Sequence, residues 1–253
     1  MPLVDHLIVL VLIIGVPLYE QFRGIDRMRC EMAENKPGIR LRWYWKTIGI
    51  QWAVTALVVG WWFGNARPAA AIGFASPAGW GFWLGLALAL IGAAALAVIQ
   101  RLQTRTDARR AEALRQIEKI APFMPRDAGE LRHFVMLSLT AGVCEEVVYR
   151  GYLIWYALAF TGDTHTGIAA AVILPALFFG LAHLYQGQRG MTQVFIAGVV
   201  FGLVYVLTGS LWVPILLHAA ADIIGGLLAV HLYRHAPPGD KAGAATPAPI
   251  AAS

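Results

Sequence analysis

The stretch "WGFWLGLALALIGAAALAV" (80–98) carries no charged side chain, and six further apolar runs are spread along the chain. A run of roughly 20 apolar residues is what crosses the hydrocarbon core of a bilayer. In lipid every backbone N–H and C=O must be satisfied within the protein, which leaves helices or a closed barrel. The runs here are unbroken and lack the alternation of barrel strands, so the sequence predicts an all-α fold, a polytopic transmembrane helical bundle. Composition agrees: 58% of residues are hydrophobic and 14% charged, against roughly a quarter charged in a soluble domain.

The spans fall at about 4–19, 47–63, 80–98, 133–160, 167–184, 191–207 and 211–233. The fourth exceeds the usual length, as one tilted helix or as two pieces broken near Gly151, so the count is seven or eight. One membrane domain is expected over 1–234. The Ala-, Pro- and Gly-rich tail 235–253 has the composition of a disordered segment. Gly198 and Gly202, four apart in "GVVFG", suit close approach of two helices.

Charge sets the expected orientation. The segment 21–46 holds seven Lys/Arg and 101–132 holds eight, whereas 64–79 has Arg67 alone and 161–166 none. Basic loops stay on the cytoplasmic side, which puts the N-terminus outside and the C-terminus inside. This distribution accounts for the net charge of +5 without any nucleic-acid partner. The segment 101–122 reads as a cytoplasmic helix, with Leu114, Ile117 and Ala121 on one face and charges over the rest. A solvated connecting helix is the preferred reading over one resting on anionic headgroups. No cleavable signal peptide is evident, and Cys30 and Cys144 sit in surroundings too different to suggest a bridge.

Inside this greasy frame lies "AGVCEEVVYRGYLIWY" (141–156). Glu145 and Glu146 fall about 17 Å of helix rise from the start of the fourth span. A charge at that depth costs roughly 2.5–3.5 kcal/mol on insertion scales and normally faces a cavity or a partner. Glu146 and Arg150 are four apart, the spacing that pairs them on one helix face. Glu145 is turned about 100° away and has no such partner. In "FFGLAHLYQG", Phe179 and His183 are one turn apart, and in "LLHAAADIIGG" His218 and Asp222 are four apart, a spacing that lets a carboxylate orient an imidazole. Three helices thus each bring a titratable group into apolar surroundings. His133, His165, His231 and Asp163 lie near span ends or in a loop and read as surface groups. Ser138 and Thr140 sit in no nucleophile elbow, Cys144 adjoins anions that disfavour a thiolate, and HExxH, P-loop and dinucleotide motifs are missing from the sequence.

These residues resemble the three motifs of the CAAX protease and bacteriocin-processing family of intramembrane endopeptidases. "EEVVYR" (145–150) matches Glu-Glu-x-x-x-Arg, "FGLAH" (179–183) matches Phe-x-x-x-His, and "HAAAD" (218–222) matches His-x-x-x-Asn/Asp. The motifs come in the family's order and cover about 131–230. The resemblance implies peptide-bond hydrolysis in a membrane cavity. Glu145 would be the general base, His183 would help position water, and Glu146 with Arg150 would support the site. His218 and Asp222 would stabilise the oxyanion or orient the carbonyl, with Asp222 mainly holding His218. The implied substrate is a membrane-associated peptide or protein, prenylated or bearing a leader.

Glu145, His183 and His218 also offer the oxygen and nitrogen donors of a zinc site. Family members are labelled metalloproteases, although a metal-free glutamate mechanism is also assigned to them, and no obligatory cofactor is the preferred expectation. Two alternatives from other classes are a proton- or ion-coupled transporter, since intramembrane Glu, His and Asp mark relays, and a catalytically silent scaffold or immunity protein. The paired repeats common in transporters are not evident. A bacterial inner-membrane location is expected, and nothing in the chain fixes an oligomeric state.

Overall fold

The structure, a computed structural model, describes residues 1–19, 25–33, 38–75, 78–120 and 123–235. The described residues form helices joined by short connections, with no strand among them. Helix α1 comprises Leu3–Leu10, a π-helical turn Val11–Gly15 and Val16–Tyr19. Then follow α2 (Ile25–Ala33), α3 (Ile39–Gly64), α4 (Gly79–Gln103) and α5 (Asp107–Ile120). Helix α6 runs without a break through Ala128–Glu145, a π-helical stretch Glu146–Leu153 and Ile154–Thr161. The last three are α7 (His165–Ala182), α8 (Gly187–Thr208) and α9 (Trp212–His235).

Five helices are both long and apolar enough to cross a membrane: Ile39–Gly64, Gly79–Leu102, His165–Ala182, Leu184–Thr208 and Trp212–His235. The first expected span is apolar but short, at Leu3–Leu18. The fourth is α6, where the glutamates and Arg150 interrupt the apolar run. The break considered near Gly151 does not occur, because the helix widens into π geometry there and continues. The tail reading falls on residues outside those described, as does the Pro122 end of α5. Large apolar side chains such as Leu57, Trp80, Ile91 and Leu216 point outward and are mostly exposed, as expected of a surface that faces lipid tails.

Helix α6 is the centre of the packing. Its start is capped by Asp127, whose carboxylate accepts from the N–H groups of Gly129 (2.7 Å) and Glu130 (2.9 Å), while Glu130 accepts from the N–H of Arg126 at 2.8 Å. The Asp127 carboxylate satisfies donors that the first turn leaves without intrahelical partners, and Glu130 ties in the residue before the cap. Arg40 of α3 also donates to Glu130, at 3.3 Å. Along its length α6 packs against α3 and α9, and its end packs against α7. The approach to α9 is close: a Cβ added at Gly142 would stand 3.0 Å from the Ala219 Cβ and from the Ile215 carbonyl oxygen. The glycine pair of α8 behaves as its spacing suggested, with added Cβ atoms 3.0 Å from Ala176 at Gly198 and 2.8 Å from Val172 at Gly202. Helix α5 turns Leu114 inward, 3% exposed, and packs on α9.

An ion pair that sequence reading passed over ties α1 to this core. Asp5 is fully buried. Its carboxylate accepts two bonds from Arg67 (2.9 and 2.6 Å), one from the Trp61 indole (2.9 Å) and one from the Tyr152 hydroxyl (2.8 Å). The guanidinium lies 4.5 Å from the centre of the Trp155 ring. A buried charge is tolerable when its partners are complete, and removing one partner costs several kcal/mol. Asp5→Ala is expected to lower stability by about 3–5 kcal/mol, read as a fall in Tm of the detergent-solubilised protein.

Outside the membrane region, α2 is held to α3 through Glu31, which accepts from Arg27 (2.8 Å), the Trp43 indole (3.0 Å) and Arg42 (3.4 Å). The Arg27 hydrogen bond, with help from Trp43 and Arg42, holds the Glu31 carboxyl below its usual range. A depressed carboxyl keeps its contribution above the unfolded value and loses it as pH falls through the folded one. Proteolysis within α2 should therefore be unchanged at neutral pH and accelerate below about pH 4, and Glu31→Gln should remove that dependence.

Candidate functional site

The site is built where α3, α6, α7 and α9 meet. Glu145 closes the α-helical part of α6 and Glu146 opens its π-helical stretch. Such wide turns are rare and recur at functional sites. Glu146 is fully buried and Arg150 is 2% exposed. The guanidinium donates to Glu146 Oε1 at 2.7 Å, the pairing their spacing predicted. It also reaches the Gly198 carbonyl at 3.4 Å and faces the rings of Phe179 (4.7 Å) and Phe201 (5.5 Å). The aromatic faces give the cation partial compensation for lost water.

His218 of α9 spans the two glutamates through its two ring nitrogens. Nδ1 is 2.7 Å from Glu146 Oε1. Nε2 faces Glu145 Oε2 at 3.7 Å and Asp222 Oδ2 at 3.8 Å. Glu146 is therefore the direct hydrogen-bond partner of His218, which corrects the expectation that Asp222 mainly holds this ring. The i, i+4 spacing brings Asp222 near, but its side chain remains 41% exposed and beyond hydrogen-bond reach. A carboxylate that is ionised only accepts, so Nδ1 of His218 is the donor in its bond to Glu146.

Glu145 is also partnered, contrary to the reading from helical rotation alone. Gln51 of α3 donates through Nε2 to Glu145 Oε1 at 2.8 Å. Sequence reasoning missed this residue because its partner lies 94 positions away. The one available signal was a carboxamide within an apolar span.

His183 follows the end of α7, where its ring Nδ1 lies 2.8 Å from the carbonyl oxygen of Phe179. A carbonyl accepts, so Nδ1 carries the proton and, in the neutral ring, Nε2 is left as an acceptor. His183 and Glu145 line the same cavity of about 240 Å³. Its wall is largely apolar, with Leu12, Val54, Val148 and Phe179 among the contributors, and Gln51 and Lys46 on the α3 side. His218 is not among the residues that line it. As seen from the cavity, Glu145 comes first and His218 stands behind.

The residues set aside on sequence fall where expected. His165, Asp163 and His231 are exposed, and His133 lies half-buried beside Trp45. Ser138 is buried and donates to the Phe134 carbonyl at 2.9 Å, while Thr140 receives the Trp52 indole at 3.3 Å. Cys30 and Cys144 are both free thiols.

The zinc alternative is not supported. Among the described residues no group of three His, Cys, Asp or Glu side chains is arranged to hold a metal ion. What the arrangement offers is one carboxylate on a cavity wall, backed by an imidazole that an ion pair anchors.

The contact of α6 with α9 positions this cluster, so a side chain at Gly142 should disturb it. Gly142→Val is expected to cost about 1–3 kcal/mol through overpacking and to separate Glu146 from His218. A Tm measurement together with the spacing between α6 and α9, from a paired cysteine cross-link, checks both effects.

Residues 127–224 match a family model described as "Type II CAAX prenyl endopeptidase Rce1-like". No curated protein and no solved structure gives a significant match to the chain. The match takes in Glu145, Glu146, Arg150, His183, His218 and Asp222 together. Residues 127–224 are therefore similar to Rce1-like type II CAAX prenyl endopeptidases, which supports the resemblance to the CAAX protease and bacteriocin-processing family.

Proposed function

We propose that the protein is an intramembrane endopeptidase that hydrolyses a peptide bond of a membrane-associated substrate with water activated by Glu145. The observation that carries this reading is the position of Glu145. It is the one carboxylate among the described residues on the cavity wall, shared there with His183, and His218 faces it from behind at 3.7 Å.

Hydrolysis needs a base for water and a donor for the carbonyl oxygen. Water reaching the cavity wall gives its proton to Glu145 while its oxygen attacks the carbonyl carbon. The acceptor Nε2 of His183 helps orient that water. His218 Nε2 stands 3.7 Å from Glu145 Oε2, so the imidazole lies directly beside the base. A peptide carbonyl that takes the place of Glu145 Oε2 before His218 accepts from Nε2–H of the imidazolium, whose charge Glu145, Glu146 and Asp222 face. As the tetrahedral intermediate collapses, the C–N bond breaks and Glu145 returns its proton to the leaving amine. Glu146 and Arg150 hold His218 and neutralise one another.

The largely apolar cavity supports a substrate that is itself membrane-embedded or lipid-bearing, either a prenylated C-terminus or a hydrophobic leader. The loop charges support an outward N-terminus and an inward C-terminus. A bacterial inner membrane, and a single domain over 1–234, fit the same reading.

In proteoliposomes supplied with prenylated and leader-bearing peptides, wild type should cleave one class. Glu145→Ala should lose about a hundred- to ten-thousand-fold of the rate while inserting normally. His183→Ala and His218→Ala should lose on the order of a hundredfold or more, and Glu146→Ala should lower Tm as well. A chelator should leave wild-type activity unchanged. Equal rates for wild type and Glu145→Ala would remove the peptidase reading, and loss on chelation restored by zinc would overturn the metal-free mechanism.

A further inference from the structure

The hydrogen bond from Gln51 to Glu145 comes from a helix outside the matched family region, since α3 precedes residue 127. Its placement divides the carboxylate. Oε1 is held towards α3 by Gln51 at 2.8 Å, and Oε2 is left 3.7 Å from Nε2 of His218. A glutamate side chain turns about three bonds. The Gln51 amide on Oε1, with His218 facing Oε2, restricts those rotations and keeps the carboxylate in one orientation on the cavity wall. The amide orientation follows from chemistry, because an ionised carboxylate can accept only from the NH₂ end.

We infer that Gln51 is a positioning residue, which holds Oε1 of Glu145 towards α3 and so fixes the orientation in which the base meets water. This rests on the peptidase reading, and it assigns α3, which lies outside the family-matched segment, a part in the active geometry. Lys46 and Thr55 of the same helix also line the cavity, so α3 forms a continuous wall from which only Gln51 reaches the base.

The test reconstitutes the full chain as wild type, Gln51→Met, Gln51→Glu and Glu145→Ala with one cleavable membrane peptide, and measures kcat and KM separately. Met keeps the length of Gln without a donor. Gln51→Met should lose about a hundredfold in kcat, the scale of a 1 Å misplacement of a catalytic group, with KM within about twofold. A wild-type kcat, or a loss carried wholly by KM, overturns the inference. If Gln51→Met does not elute as a folded species, Gln51→Glu, which keeps the volume and replaces the donor by an acceptor, takes its place with the same expectation. Wild-type cleavage lost in Glu145→Ala but retained in Gln51→Met sinks this inference alone. Absence of any Glu145-dependent cleavage sinks the peptidase reading. In that case the infrared carboxylate band assigned by subtraction of Glu145→Ala decides the contact, which requires a shifted band in Gln51→Met and fails on an unchanged one.

Discussion

One buried chain of contacts, Arg150 to Glu146 to His218, holds the central part of this molecule together. Both bonds are 2.7 Å and both end on the same oxygen, Glu146 Oε1. Any one of these groups alone would be expensive within a bilayer. Together they exchange charge for contact, and the rings of Phe179 and Phe201 cover the guanidinium. The chain crosses from α6 to α9 and so fixes where the imidazole stands. Because α6 becomes π-helical at Glu146, two consecutive glutamates can address the two nitrogens of one ring, which a view along an ideal helix does not suggest.

The rest of the bundle protects this arrangement. Small residues let helices approach: Gly142 against α9, Gly198 and Gly202 against α7. At the other end of the cavity's α1 wall, Asp5 and Arg67 fasten the N-terminal helix to Tyr152 of α6. The result combines a lipid-facing exterior with a largely apolar cavity in which, among the described residues, a single carboxylate is presented beside His183.

Much of this was legible in the sequence, for physical reasons that can be named. Apolar runs have to become helices in lipid, so the all-helical fold followed from hydropathy. The Glu146–Arg150 pair followed from a four-residue spacing, and the closeness of His218 to Asp222 did too. What stayed hidden depends on contacts between distant segments. Glu146 reaching His218 across 72 positions, Gln51 reaching Glu145, and Asp5 receiving Arg67 have no local signature, because periodicity reports which face of a helix a residue occupies and not what that face meets. Asp222 illustrates the limit: its spacing was right for a partner of His218, yet a closer acceptor on another helix holds the ring. The unbroken passage of α6 through Gly151 was likewise undecidable from hydropathy, which cannot distinguish a widened turn from a break.

The most direct measurement is a cryo-EM structure of the protein bound to an uncleavable phosphinic analogue of a membrane peptide that it cleaves. The account predicts one phosphinyl oxygen within hydrogen-bond distance of His218 Nε2 and the other within reach of Glu145, with Glu146 and Arg150 unmoved behind them. An analogue seated away from Glu145, or a Glu145 carboxylate turned into lipid, would contradict it.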